Sequence, residues 1–96
     1  MRVKLLASAM DDLYDGYRFY ERQAPGLGAQ YFRALFSDID SLATHAGIHP
    51  THFGYYRLLS KRFPCAVFYK MEGTLVIVKR ILDTRRDPRQ LESGLE

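Results

Sequence analysis

Hydrophobic residues recur with a helical period in the first half of the chain. Apolar or aromatic side chains fall every three or four residues from Ala9 to Gln23 and again from Gly28 to Ala46. This spacing lays one apolar stripe along each of two predicted helices. The segment 24–28, Ala-Pro-Gly-Leu-Gly, breaks the pattern between them. Because the connection is so short, we expect the two helices to pair antiparallel.

The second half has the pattern of strands. A short strand is also predicted before the helices, at Arg2–Leu6, where apolar and polar residues alternate weakly. After Gly54, β-branched and aromatic runs alternate with turn residues, and Glu72-Gly73 has the character of a two-residue hairpin turn. The predicted strands of this half are Tyr55–Leu59, Cys65–Met71 and Thr74–Leu82. The order β-α-α-β-β-β predicts an α+β fold in which the helix hairpin packs on one face of a mostly antiparallel sheet.

Several finer expectations follow from the same pattern. Ser8 is the predicted N-cap of the first helix, with the carboxylates of Asp11 and Asp12 near its positive end. We expect residues 1–89 to form a single domain and the polar tail, residues 90–96, to be disordered. The helix side chains expected to face the sheet are Leu13, Tyr17, Phe32, Leu35, Phe36 and Ile39.

Length and composition limit the class of protein. A chain of 96 residues leaves room for one small core, which is marginal alone and gains from a partner. Its single cysteine, Cys65, is expected in a buried strand and excludes a disulfide framework. The apolar run near the N-terminus is too short for a signal peptide, and no stretch is long enough to span a membrane. We therefore expect a cytoplasmic protein without membrane association.

Charge is distributed unevenly. From Thr51 to Arg89 there are nine basic residues against three acidic ones, whereas the residues up to Pro50 carry five basic and six acidic side chains. This asymmetry favours an anionic partner, and a solvated strand face is the alternative explanation. The three histidines, His45, His49 and His52, are expected on a loop surface without a metal ion, since no cysteine or matching carboxylate lies near them in sequence. No cofactor is predicted.

Four segments together resemble the RelE/ParE family of toxins. They are Asp12-Leu13 with Tyr17-Arg18-Phe19-Tyr20-Glu21, then Ala24-Pro25-Gly26-Leu27-Gly28, then Arg62-Phe63-Pro64-Cys65-Ala66-Val67-Phe68-Tyr69, and finally Arg85-Arg86-Asp87-Pro88. Each segment is short, but their order and spacing cover most of the chain. The resemblance implies a RelE/ParE-like fold and a toxin of a type II toxin–antitoxin module, neutralised by a cognate antitoxin protein that wraps around it.

The resemblance leaves two mechanisms open. A ParE-like toxin inhibits DNA gyrase by binding it, whereas a RelE-like toxin is a metal-independent endonuclease that cuts mRNA on the ribosome. For a nuclease, the resemblance assigns the scissile phosphate to Arg57, Arg62, Arg85 and Arg86, because arginine pairs bidentately with anionic oxygens. The residues assigned to target or nucleic-acid binding in general are Lys61, Arg62, Arg85 and Arg86.

The chemistry of cleavage favours the gyrase interpretation. Many relatives have a histidine two residues before the arginine pair, where this chain has Asp83, and several nucleases have a tyrosine near the C-terminus, whereas the last one here is Tyr69. An aspartate beside two arginines has a lowered pKa and is a poor acid. We therefore expect gyrase inhibition, with mRNA cleavage as the alternative and an inactive member as a further one. A non-toxic nucleic-acid-binding module would need aromatic stacking positions, for which the candidates are Tyr55, Tyr56, Phe68 and Tyr69.

Overall fold

The computed structural model describes residues 1–96 and has the predicted α+β architecture with two additional elements. The additional elements are a two-residue strand before the predicted strand at Tyr55 and a short C-terminal helix. In chain order the elements are β1 (Arg2–Leu5), α1 (Ala7–Gln23), α2 (Leu27–His45), β2 (Thr51–His52), β3 (Tyr55–Leu59), β4 (Cys65–Glu72), β5 (Leu75–Asp83) and α3 (Pro88–Gly94).

The strands form one mostly antiparallel sheet in the order β1-β5-β4-β3-β2. Only β1 and β5 run parallel, and the helix hairpin of α1 and α2 supplies the crossover between β1 and the later strands. A β-bulge interrupts the pairing of β4 with β5, because Phe68 pairs with Arg80 and Tyr69 with Val78, which leaves Lys79 without a partner. The extra residue changes which face the following side chains point to. Val78 and Ile81 therefore both join the core under the helices.

The turn between α1 and α2 is held by a side chain of α1. The Glu21 carboxylate accepts hydrogen bonds from the backbone N–H groups of Gly26 and Gly28, which caps the free amides at the start of α2. Gly26 has a φ of 87°, a conformation that favours glycine. At the other end, the prediction for Ser8 is wrong. Helix α1 begins at Ala7 with Leu6 as its N-cap, and the Ser8 hydroxyl donates instead to the Lys79 carbonyl of β5.

The main core lies between the helix hairpin and the sheet. Leu13, Leu35 and Ile39 are buried there as predicted. Tyr17 and Phe32 are half-buried and stack on each other with ring centroids 5.0 Å apart. Phe36, which was also predicted to face the sheet, is exposed. The apolar stripe on each helix is wider than the surface that faces the sheet. Side chains at its edge, such as Tyr17 and Phe32, therefore pack between the two helices instead.

A second, smaller core covers the opposite face of the sheet. Residues 90–96 were predicted to be disordered, but α3 occupies most of this segment and buries Leu91 and Leu95 against the sheet. The side chains beneath it are Ala66, Phe68 and Leu82. Asp87 caps the helix by accepting from the Arg89 N–H. The pattern contains only two apolar residues in this tail, too few to reveal a period, and the burial depends on a sheet face built from distant residues.

Asp12 and Arg80 connect α1, β5 and α3. The Asp12 carboxylate accepts from Nε and Nη2 of Arg80 at 2.7 and 2.9 Å, and also from the backbone N–H of Ile81 at 2.9 Å. Arg80 donates in turn to the Gly94 carbonyl at 2.8 Å. The sequence predicted Asp12 as a partner of the helix dipole. Its actual role is to accept a hydrogen bond from the Ile81 N–H, on the part of β5 that extends beyond its pairing with β1.

None of the helices combines the length and the apolar character that crossing a membrane requires.

Candidate target-binding site

Two loops bring four of the predicted basic residues to one end of the molecule. Lys61 and Arg62 lie in the loop between β3 and β4, and Arg85 and Arg86 lie in the loop after β5. These loops are adjacent, because the Thr84 N–H donates to the carbonyl of Pro64, in the β3–β4 loop, at 2.9 Å. All four basic side chains are exposed. We call this set, Lys61, Arg62, Arg85 and Arg86, the basic end.

The basic end lies on the helix side of the sheet. Arg62 donates to the side-chain oxygen of Gln30 on α2 at 3.2 Å. Phe63, the next residue, packs against Tyr20 with ring centroids 4.9 Å apart. Arg85 lines a cavity together with Tyr20 of α1. Both loops are therefore anchored beside the turn of the helix hairpin.

Arg57 does not join the basic end. It lies in the middle of β3 and pairs with Phe68 of β4. Opposite residues of an antiparallel pair share a face, and Phe68 belongs to the core under α3. Arg57 is thus on the sheet face opposite the helix hairpin, and its buried Nε has no hydrogen-bond partner. The four arginines assigned to a nuclease are divided between the two faces of the sheet.

A cavity of about 650 Å³ lies beside the basic end, between α1 and the carboxyl end of β5. We call it the α1 cavity. Its inner wall includes Cys65 and Tyr31, both buried. Its rim carries Arg85 and Arg86 from the loop after β5 and, from α1, two further arginines that were not among the predicted binding residues, Arg18 and Arg22. Their spacing of four residues places them on one side of a helix, a signal that the sequence does contain.

Most charges around the α1 cavity are paired. Asp83 is held by Arg85, whose Nε and Nη2 donate to the carboxylate at 3.0 and 2.6 Å. Arg18 pairs with Asp15. The third aspartate of the wall, Asp12, is engaged by Arg80 as described above.

These pairings decide the protonation state of the acidic groups. Hydrogen bonds from the Arg85 guanidinium hold the pKa of Asp83 below its usual value, so the carboxylate is ionised at neutral pH. Burial raises the pKa of Tyr20, which keeps its proton on the phenol. Burial also raises the pKa of the Cys65 thiol to about 12, so the thiol keeps its proton at neutral pH and is a poor nucleophile. As predicted, this cysteine is buried in a strand.

The histidines lie at the far end of α2 from the basic end. Helix α2 runs from Leu27, near Gln30, to His45, and 19 residues at roughly 1.5 Å each separate its ends by on the order of 28 Å. His45 is exposed. His49 was predicted on the surface but is partly buried, and its Nδ1 is hydrogen bonded to the Tyr69 hydroxyl. No group of three His, Cys, Asp or Glu side chains is placed to hold a metal ion.

The aromatic residues considered for base stacking are used in packing. Phe68 and Tyr69 have no exposed surface, and Tyr56 stacks on Tyr69 with ring centroids 5.1 Å apart. Tyr55 is half-buried, donates to the Leu95 carbonyl and lies under the ammonium group of a lysine. These strands therefore offer no free row of rings to a nucleic acid.

A ridge of exposed aromatic side chains runs along the outer side of the helix hairpin. Tyr14 and Phe36 are 51 % and 39 % exposed, respectively. Both contact Phe32, at centroid distances of 5.8 and 5.7 Å. Contiguous apolar surface of this kind is typical of protein-binding sites. We call Tyr14, Phe32 and Phe36 the aromatic ridge.

Comparison with known proteins gives one family and a structural likeness. The solved structure of the chromosomal ParDE TA system from P. aeruginosa is similar, with a TM-score of 0.76 at 21 % identity, covering 84 % of this chain and 92 % of that one. That likeness shows the fold. No curated protein sequence matches the chain. The family model described as "ParE toxin of type II toxin-antitoxin system, parDE" matches residues 3–88. Since this match covers nearly the whole chain, the protein belongs to the ParE toxin family of type II toxin–antitoxin systems.

Proposed function

We propose that this toxin acts by binding and inhibiting DNA gyrase, and that it does not cleave mRNA. Membership of the ParE toxin family supports the first half of the proposal. The observation that supports the absence of mRNA cleavage is the composition of the basic end, which supplies cations but no side chain that could act as the acid or the base. The alternative is a RelE-like, ribosome-dependent mRNA endonuclease.

Cleavage of RNA by its own 2′-hydroxyl requires a base near that oxygen, cations around the phosphate and an acid for the leaving oxygen. Arg62, Arg85 and Arg86 supply cations. The carboxylate beside them, Asp83, has a lowered pKa because of Arg85 and cannot donate a proton at neutral pH. The phenol of the α1 cavity, Tyr20, has a raised pKa and is a poor acid and a poor base.

Binding to a protein target needs only an exposed and rigid surface. The basic end is exposed and is fixed by the hydrogen bond between its two loops. Arginine suits this role because its planar group donates two parallel hydrogen bonds to a carboxylate. We assign Lys61, Arg62, Arg85 and Arg86 to contact with the target.

The test compares two assays on one protein preparation. We expect the purified toxin to inhibit supercoiling by gyrase without ribosomes present, and reporter mRNA on translating ribosomes to stay intact. Arg86→Ala should weaken supercoiling inhibition about 10-fold, the effect of losing one charge-assisted contact. Arg33→Ala is the matched control, since Arg33 is exposed on α2 and lies outside the basic end. Ribosome-dependent cuts that disappear in Arg85→Ala or Arg86→Ala would overturn the proposal and make the protein an enzyme.

We also propose that a cognate antitoxin protein binds and neutralises the toxin in the cytoplasm. The exposed aromatic ridge and the small core support a protein partner. A partner that binds only the folded toxin raises its melting temperature by mass action. The protein encoded next to the toxin gene should therefore shift the melting curve upward. Absence of a shift at saturating antitoxin would contradict this pairing.

A further inference from the structure

We propose that the α1 cavity is a binding site for a nucleoside phosphate, with Arg22 and Arg86 binding the phosphate group and Phe19 supporting the base. The proposal concerns a ligand of the toxin alone and does not rest on gyrase as the target. A free nucleotide and a nucleotide within a nucleic-acid strand share this chemistry.

Two arginines of the α1 cavity are not engaged in ion pairs and can bind an anionic ligand. Each of its aspartates is already paired with another arginine, as described above. Arg22 and Arg86 line the same cavity, are exposed and have no acidic partner within ion-pair distance. The carboxylate next to Arg22 in sequence, Glu21, is bound to backbone amides of the α1–α2 turn. Two free positive charges match a phosphate dianion better than a single carboxylate.

The cavity also offers a flat aromatic surface next to Arg22. Phe19 lines it and is 48 % exposed. Its ring is fixed edge-on against Tyr20, with centroids 5.0 Å apart. Phe19 and Arg22 are three residues apart on α1, so their side chains are neighbours on the helix surface. A base stacked on this ring would place its phosphate toward Arg22, and stacking on an aromatic ring accepts any base.

The size and the shape of the cavity are consistent with such a ligand. Its volume of about 650 Å³ falls within the roughly 300–1,000 Å³ of small-molecule sites. A second basic cavity adjoins it, with Arg86 in both walls, and is lined by Arg89 and other polar residues without a hydrophobic one. A continuous strand could therefore extend from the α1 cavity along this second, purely polar surface.

The test is a nuclear magnetic resonance titration of the isotope-labelled full chain with three probes: 2′-deoxyadenosine 5′-monophosphate, inorganic phosphate and a single-stranded deoxyadenosine decamer. We expect Arg22→Gln and Arg86→Gln each to raise the Kd of all three probes about 10-fold, because each removes a charge-assisted contact. Phe19→Leu should raise the Kd of the nucleotide and the decamer by about 5-fold or more, and leave inorganic phosphate unchanged. The ratio of decamer to mononucleotide affinity then identifies the source of the ligand.

The control is Arg33→Gln, an exposed arginine of α2 outside the cavity, which should leave every Kd unchanged. These arginines make no ion pair, and their replacement is compatible with folding. An equal effect of Arg33→Gln would mean nonspecific charge attraction and would overturn the proposal. So would tighter binding of a tetraglutamate peptide than of the nucleotide, which would indicate an acidic protein segment as the ligand. Supercoiling assays are separate, so gyrase inhibition can fail while nucleotide binding holds, and the reverse.

Discussion

The contact between Asp12 and Arg80 predicts a large stability loss from a single substitution. In Asp12→Ala, Arg80 keeps its bond to the Gly94 carbonyl but loses the carboxylate that balances its charge. The backbone N–H of Ile81 loses its acceptor at the same time. Because this contact joins α1, β5 and α3, its loss should weaken the whole fold rather than one element.

The size of the effect follows from the burial of the two side chains. Removing one partner of a fully buried ion pair costs about 3–5 kcal/mol. Here the side chains of Asp12 and Arg80 are 12 % and 25 % exposed, so water reaches part of the guanidinium and the expected loss is about 2–3 kcal/mol. For a domain of this size, roughly 4–8 °C of melting temperature correspond to 1 kcal/mol, which gives a decrease of about 8–24 °C.

Thermal denaturation followed by circular dichroism measures this decrease. Asp15→Ala is a matched control, because Asp15 lies on the same helix and also pairs with an arginine, but that pair is 60 % and 69 % exposed. Its loss should cost less than about 1 kcal/mol. Asp12→Asn keeps an acceptor for the Ile81 N–H and should fall between the two alanine variants. Equal melting temperatures for Asp12→Ala and Asp15→Ala would refute the reasoning.

Two further substitutions test the packing of a helix and the titration of a partly buried histidine. Gly16→Ala should destabilise the fold by roughly 1–3 kcal/mol in urea unfolding, because its Cβ would lie 2.3 Å from Cζ of the buried Tyr31 ring. A helical glycine otherwise gains about 0.5–1 kcal/mol from alanine, so a stabilised variant would contradict this packing. Burial lowers the pKa of His49 below 6.5, so the contribution of its neutral ring to stability is full above about pH 6.5 and is lost as the pH falls through the lowered pKa. His49→Gln should flatten the pH dependence of the unfolding free energy as the pH falls below about 6.5, and an unchanged slope would contradict this.

The sequence by itself determined the elements whose signal is local. The bounds of β3 agree with the predicted Tyr55–Leu59, and both long helices end within two residues of their predicted limits. Hydrophobic residues recur every three to four positions in a helix and every two positions in a strand, because each element buries one side. The signal therefore lies within a few neighbouring residues. The burial of Cys65 followed from the same pattern.

The tertiary structure decided the features that depend on residues far apart in sequence. Helix α3 has seven residues, too few to be stable alone, and it forms because Leu91 and Leu95 meet Phe68 and Leu82. Asp12 pairs with Arg80, which is 68 residues away in sequence and follows the β-bulge of β5. No local pattern in the sequence signals this bulge.

The same distinction applies to the candidate site. The sequence identified arginines as the chemically important residues, because their charge and their planar group are properties of the residue type. It could not tell that Arg57 lies on the opposite face of the sheet, or that Arg22 of α1 lines the same cavity as Arg86. Which side chains converge is set by strand register and by the crossing of α1 over β5, and both exist only in the folded chain.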